Sequence, residues 1–148
     1  KPLGGNVYKQ LEFEREFELT EPQTFERFRQ NCEKYRSELI GLLHDIKADG
    51  KSIAGYAATS KSTTIINYCG ITIDHLDCIY DITPIKQGKF SPGAHIPIID
   101  HAKFKDNYPD YALLFAYNHE KEIMPKEQEF INQGGKWISY VPDIKCLF

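Results

Sequence analysis

Residues 51–70 read KSIAGYAATSKSTTIINYCG, and the parsing of this stretch decides the fold. A short apolar run, Ile53 to Tyr56, gives way to a small and hydroxylated loop, Ala57 to Ser60, and then to a Lys-led stretch with helical spacing. Strand, phosphate-sized turn and helix N-terminus in that order outline an anion-binding turn, because the first N–H groups of a helix have no partners of their own. The loop is not a strict GxGxxG and lacks the GK[ST] ending of a P-loop, so its meaning rests on what surrounds it.

Downstream, Leu76 to Ile82 (LDCIYDI) reads as a second strand ending at Asp81. That acid lies 26 residues beyond Gly55, close to where dinucleotide folds place a ribose-binding carboxylate. Two readings of it stand: a ribose-hydroxyl acceptor, or the residue that starts the turn before Pro84. TPIKQGKFSPGAHIPIID follows, with three prolines and two glycines, too many turn residues for a helix. HIPII predicts a third strand, which Pro97 assigns to an edge or an irregularity. DHAKFKDNY predicts a short helix.

DYALLFAY, residues 110–117, is continuously apolar, the pattern of a strand buried on both faces in a parallel sheet. A helix rich in Glu and Lys is expected from there to Gln133, stopped by Gly134-Gly135, and KWISYVP supplies a last strand. Alternation of strand and helix over 51–141 predicts an α/β, Rossmann-like fold with a mostly parallel sheet flanked by helices. Ligands of such sheets bind at the carboxyl ends of the strands, where loops 57–61, 82–93 and 117–120 should converge.

Upstream, Phe25, Phe28, Cys32, Tyr35, Leu39, Leu42 and Ile46 recur at alternating spacings of three and four, one stripe on a long amphipathic helix. Thr20 with Gln23 forms a capping box, Pro22 fits the first turn, and Ala48-Asp49-Gly50 ends the helix. The stripe is expected to be core, packing on the sheet or serving as an interdomain strut. Before it, LEFEREFEL places apolar residues at 11, 13, 17 and 19, a period of two that predicts a strand with an acidic face, or else an irregular connector. Residues 1–10 read as a loop leading into a strand or edge piece.

With 148 residues, 41% hydrophobic and 26% charged, the chain suits one globular domain with its own core. A net charge of −3 and the lack of any basic cluster exclude nucleic acid as a partner. No apolar run reaches the ~18 residues of a membrane span, which predicts a soluble chain without membrane contact. The first residue is not Met and no signal peptide leads the chain, so a fragment is expected. Cys32, Cys69, Cys78 and Cys146 are widely spaced in apolar settings and form no CxxC. They predict buried free thiols in a reducing cytoplasm and no metal site built from this chain alone.

Several polar residues are candidates for chemistry. The loop Ala57 to Lys61 offers backbone N–H groups, the hydroxyls of Thr59 and Ser60 and the Lys61 ammonium to an anion; a solvated Lys and a helix cap by Ser60 is the alternative. Lys86 and Gln87 add a point charge and an amide, or are ordinary surface residues. Asn118 and His119 follow a buried strand, where His119 can shuttle a proton or donate to a ligand, or Asn118 can simply cap the next helix. His95 points into the loop cluster or caps its strand. His44, His75 and His101 sit in polar settings and receive no role. GxSxG, HExxH, paired cysteines and a close acid dyad are all missing, so no hydrolase or metalloenzyme site is complete and no catalytic residue is assigned.

Taken in order, IAGYAATSKSTTIINYCGI, YDITPIKQGKFSPGAHIPI, YPDYALLFAYNHEKEI and GGKWISYVP resemble the C-terminal domain of the SAM-dependent sugar C-methyltransferases, over roughly residues 50–142. The family's GYGAxxKG loop corresponds to Gly55, Tyr56, Ala57, Ala58, Thr59, Ser60, Lys61 and Ser62, with Ala57 and Ser62 where glycines are usual. Its DxxPxKQGxxxPGxHxP segment is kept at Asp81, Pro84, Lys86, Gln87, Gly88, Pro92, Gly93, His95 and Pro97. The Trp-Asn pair after the fourth strand is Tyr117-Asn118 here, and the opening GGNVYK resembles a GGS-led strand that closes a preceding methyltransferase domain.

The resemblance implies that residues 1–19 end that domain and that 20–148 form a Rossmann-like C-terminal domain packed on it. It implies a nucleotide-linked keto-sugar as ligand, held by Tyr56, Thr59, Ser60, Lys61, Lys86, Gln87, His95, Asn118 and His119. S-adenosylmethionine and zinc would be bound by the upstream part, leaving this chain without a cofactor or metal and catalytically silent alone. Two other readings stand beside it: a Rossmann-like interaction or scaffold domain with an empty crevice, and a free-standing nicotinamide-binding domain, for which the required glycines are lacking.

Overall fold

Short apolar runs flanked by turn residues become the strands of one sheet, and the amphipathic stretches between them become its covering helices. The computed structural model describes residues 4–147; residues 1–3 and 148 lie outside the described residues, and with them the start of the loop expected at 1–10. The elements are α1 (Gly5–Glu16), α2 (Pro22–Ala48), β1 (Ile53–Tyr56), α3 (Ser60–Cys69), β2 (Ile79–Asp81), β3 (Ile98–Asp100), β4 (Tyr111–Leu114), α4 (Glu120–Lys126), α5 (Gln128–Asn132), β5 (Lys136–Ser139) and β6 (Lys145–Leu147). The chain divides into two compact units between Tyr35 and Arg36, within α2.

In the second unit the strands lie in the order β3-β2-β1-β4-β5-β6. All neighbours are parallel except β5 and β6, which are antiparallel with Ile138 opposite Cys146. This is the doubly wound order in which the chain reverses direction of growth after β3, returning to place β4 beside β1. β3 is an edge strand, as Pro97 implied. β6 caps the opposite edge and has no counterpart in the sequence reading, because its three residues are too short for a periodic signal.

Alternation along the buried strands feeds two cores. Ile53, Ile79, Leu113, Phe115 and Ile138 face Leu39, Leu43 and Ile46 of α2 and Ile66 of α3. On the other face Ala54, Tyr56, Ala112, Leu114 and Trp137 meet Phe104 and Phe130. Gly55 leaves room for side chains of the two flanking strands: a Cβ there would lie 2.7 Å from the Phe115 ring, just past β4, and 3.0 Å from Ile79 in β2. The expected single helix up to Gln133 is two, α4 and α5, broken at Glu127, whose ψ of 28° leaves the helical range. DHAKFKDNY contributes only a 3-10 turn, His101–Phe104.

The first unit corrects the expected strand at 11–19 and the GGS-like strand at the opening. Residues 5–16 are helical, with Gln10 bonded to Glu14 four residues on at 3.0 Å. Glu, Gln, Leu and Arg favour helices, and a helix bonds its own backbone where a strand would need a neighbour. α2 starts at Pro22, where the missing N–H is harmless, and Thr24 N bonds the Glu21 carbonyl at 3.0 Å in place of the expected Thr20 box. Its stripe is core only from Leu39 onward: Phe25 is 60% exposed and Phe28 68%. No described helix is long and apolar enough to cross a membrane. Cys69 and Cys78 are buried, burial pushing the Cys78 thiol up to about 11, whereas Cys32 is half-buried and Cys146 exposed, unlike the burial expected of all four.

His75, which the sequence leaves at the surface, is buried against His44 with ring centroids 4.9 Å apart. Its Nδ1 accepts from the Thr72 N–H at 3.0 Å and faces the Thr72 hydroxyl at 3.2 Å, so the neutral ring carries its proton on Nε2, which has no partner. Protonation would add a donor against a donor in a buried place. Burial first, then His44, hold its pKa below 6.5; Asp74 opposes them, and Lys47 adds the smallest push downward. Asp110 behaves as an acid with the same sign. It accepts from the Ser52 N–H and hydroxyl at 2.8 Å each and from Lys51 at 3.1 Å, which holds its carboxyl down to about 2.

In both cases the unfolded chain binds protons more readily, so stability is full above the unfolded value and falls as pH drops through the folded one. Urea unfolding against pH should therefore show two acid losses, one beginning near pH 6.5 and one below pH 3.8. His75→Asn, whose side-chain oxygen can accept from Thr72, should abolish the first and keep the second; an unchanged first loss would place its origin elsewhere.

Candidate functional site

The apolar run of β1 ends at Tyr56, and the chain turns at Ala57 with φ of +73°, a left-handed conformation that glycine adopts more easily. This is the position at which the resembling family carries a glycine. Thr59 then caps α3, its hydroxyl accepting from Ser62 N at 3.1 Å, so Thr59 and not Ser60 does the capping. The Ser60 hydroxyl is left free to face outward at the helix start.

The turn is fastened by Asp81 at the end of β2, the strand beside β1. Asp81 Oδ2 accepts from Ala58 N–H at 2.7 Å and from the Lys86 ammonium at 3.3 Å, while Oδ1 accepts from Thr83 N–H at 2.7 Å. Lys86 also donates to the Ala58 carbonyl at 2.8 Å, and Gln87 donates its amide to the Asp81 carbonyl at 3.0 Å. Both peptide groups of Ala58 are thus held from the 81–87 loop. Burial pushes the Asp81 carboxyl up, but the bonds from Thr83 and Ala58 and the charge of Lys86 outweigh it and hold it below its ordinary value. Of the two sequence readings of Asp81, the turn reading describes this geometry: its carboxylate closes an Asx turn onto Thr83.

Loops 57–63 and 85–92 enclose a cleft of about 390 Å³, lined on one side by Thr59, Ser60 and Thr63 and on the other by Ile85, Lys89 and Phe90. Ile85 is 73% exposed and Phe90 61% exposed. The cleft therefore combines the start of a ten-residue helix, where Ser62 N–H and Thr63 N–H are taken by Thr59 and those of Ser60 and Lys61 remain, and a lysine with an apolar wall. The third loop does not join it. Tyr117, Asn118, His119 and Glu120 to Glu122 line a separate cleft of about 430 Å³. Lys61 spans the two regions, its ammonium 5.7 Å from the centroid of the Tyr117 ring. That contact crosses from the β1 loop to the β4 loop, where the strand order reverses.

The remaining candidates are scattered. Tyr56 is buried and its hydroxyl donates to Glu127 Oε1 at 2.9 Å and meets His101 Nε2 at 2.8 Å, on the face of the sheet away from α3. His101 Nε2 also lies 2.8 Å from Glu127 Oε1. Burial, then the Glu127 carboxylate, push the Tyr56 phenol far up, so it stays protonated as a donor. His95 is exposed at the turn before β3 with φ of +54°. His119 Nδ1 lies 3.7 Å from Glu122 Oε2, and the Asn118 side chain does not cap α4, whose N-cap residue is His119. Lys89 and Phe90 were missed as lining residues, although the turn-rich composition of 83–93 pointed to their loop. Glu127 and His101 carried no signal, since their partners lie 71 and 45 residues away in β1.

The C-methyltransferase C-terminal domain family matches this chain over residues 1–142. Among curated proteins, the C-methyltransferase NovU of Streptomyces niveus is 35% identical over 141 residues, which cover 95% of this chain and 34% of that protein. The chain spans about a third of the length of this relative.

If the left-handed turn at residue 57 is what the cleft is built on, glycine should fit it better than alanine does. Ala57→Gly should stabilise the chain by about 0.5–1 kcal/mol, the relief of a left-handed Cβ less the backbone entropy of glycine. Chemical denaturation measures this, and a loss of stability would mean that the Ala57 methyl contributes more by packing than it costs in conformation.

Proposed function

The chain belongs to the C-methyltransferase C-terminal domain family, and from that premise we propose that it is the substrate-anchoring domain of a SAM-dependent C-methyltransferase acting on a nucleotide-linked keto-sugar. The observation that carries this reading is the 390 Å³ cleft, in which the start of α3 faces Ile85, Lys89 and Phe90. A nucleoside diphosphate presents the matching pair of chemistries, two charged phosphates and a flat ring. The phosphates suit the N–H groups, the Ser60 hydroxyl and the Lys89 ammonium; the ring suits the Phe90 face.

S-adenosylmethionine supplies an electrophilic methyl group in such reactions, and the residues of this chain do not fit it. The carboxylate at the end of β2 is the group that would accept ribose hydroxyls in a nucleoside cradle. In Asp81 both oxygens are already engaged by Ala58, Thr83 and Lys86. The same observation counts against a nicotinamide cofactor. We therefore assign the methyl donor to another part of the polypeptide, and expect residues 1–148 alone to transfer no methyl group.

Within this proposal the candidate residues separate by task. Thr59, Ser60 and Lys89 touch the ligand, while Lys86 and Gln87 position the loop and Tyr56 fixes the end of β1 from the far side. Lys61, Asn118 and His119 stand beside the second cleft, where the sugar or the reacting centre would reach. Carbon methylation removes a proton next to a ketone and leaves charge on oxygen, which a nearby donor must stabilise; none of this chain's residues is assigned that role.

Titration of the chain with a thymidine or uridine diphosphate sugar, followed by amide shifts, tests the proposal. Shifts are expected at 58–63 and 89–92. In the full-length enzyme Lys89→Ala should raise KM for the nucleotide sugar about tenfold with little change in kcat, as loss of one charge-assisted hydrogen bond does. No shifts at 58–63 together with an unchanged KM would remove this cleft from the substrate site.

A further inference from the structure

The first unit leaves its apolar side chains in solvent. α1 has no buried residue. Val7, Tyr8, Leu11 and Phe13 are exposed along it, and Phe25 and Phe28 are more exposed still at the start of α2. In α2 the apolar stripe keeps strict spacings of three and four from Phe25 to Ile46, a heptad seam with Phe25 and Cys32 at one repeating position and Phe28 and Tyr35 at the other. The same seam is covered from Leu39 onward, whereas before it Phe25, Phe28 and Tyr35 are exposed and Cys32 is half-buried. An unbroken pattern of this kind needs a partner along its whole length, and a contiguous bare apolar face on a globular protein marks an interaction surface.

A second copy is a poor occupant. Arg29 borders the seam and is already held by Glu26 and Glu33 of its own helix. Antiparallel pairing of two α2 helices about this stretch sets Arg29 against Arg29, and parallel pairing sets it beside Thr24; neither brings a carboxylate. The length comparison supplies another occupant: the matched region is 34% of its relative, so about two thirds of a C-methyltransferase of that kind lies outside it.

We infer that the bare stripe of α2 from Phe25 to Tyr35 is the surface on which the remainder of the methyltransferase polypeptide docks, closing the heptad seam with an apolar segment. This rests on the reading of the chain as one domain of a longer enzyme. Glu26, Arg29 and Glu33 then form a polar rim beside the seam, and Phe25 and Phe28 are its most exposed anchors.

Hydrogen exchange compares the full-length enzyme with the 148-residue chain, both without substrate. Amides of 22–35 should exchange at least about tenfold more slowly in the full-length enzyme, and Phe25→Glu with Phe28→Glu should cancel that difference. Because both rings are exposed in this chain, the same double substitution should leave exchange of the sheet unchanged, which checks that the variant folds. Equal exchange of 22–35 in the two wild-type proteins would overturn the inference. So would protection in the short chain that grows with its concentration and accompanies a doubled sedimenting mass, since the occupant would then be a second copy. Failure of full-length enzyme to methylate a nucleotide-linked keto-sugar would sink the proposed activity while leaving this exchange result standing.

Discussion

A buried carboxylate at the end of β2 is the constraint on which the cleft depends. Taking Asp81 out of water is unfavourable unless its charge is met, and three donors meet it: two backbone N–H groups and one ammonium. Two of those donors, Ala58 N–H and Lys86, are themselves joined through the Ala58 carbonyl. The turn after β1, the start of the 82–93 loop and the ammonium therefore form one closed set of bonds. Losing Asp81 would leave the Ala58 and Thr83 N–H groups without this acceptor, and beside this set of bonds the turn holds Ala57 in a left-handed conformation although it is not glycine.

The end of β1 is gripped from the other face as well. Tyr56 reaches through the second core to Glu127 and His101, at the break between α4 and α5 and at the 3-10 turn after β3. The strand end is thus fixed on both sides, by a charge cluster toward the cleft and by a phenol, an imidazole and a carboxylate away from it. A helix start on so rigid a base presents its free N–H groups in a constant direction. That property suits an anchor for phosphates, whose placement decides where the rest of a ligand lies.

Much of the sheet was legible because its strands are buried on both faces. IAGY and YALL are uninterrupted apolar runs bounded by turn residues, the pattern of strands in a covered parallel sheet. The helix α3 was legible from its hydroxyl-rich start. What failed had physical causes. Residues 11–19 alternate apolar with Glu, but a period of two also arises by chance in a helix, and the helix-favouring Glu, Gln and Leu of 5–16 decide for the helix. The α2 stripe was read as core because spacing reports that a face needs covering and not what covers it. Asp81 was correctly singled out, yet its partners are a backbone amide and a lysine that the sequence places 23 residues before and five after it. The pairing of Tyr56 with Glu127 spans 71 residues and left no local trace.

The cleft stands or falls on Asp81 holding the turn. Amide hydrogen exchange at Ala58 reads this directly, since that N–H donates to Asp81 at 2.7 Å in a loop that would otherwise be open to water. The Ala58 amide should exchange about a hundredfold more slowly than those of unbonded loop amides. In Asp81→Asn that protection should fall while Leu113 and Ile138 in the central strands keep theirs. Exchange at Ala58 as fast as in an unprotected loop in the native chain would contradict the clamp and the cleft built on it.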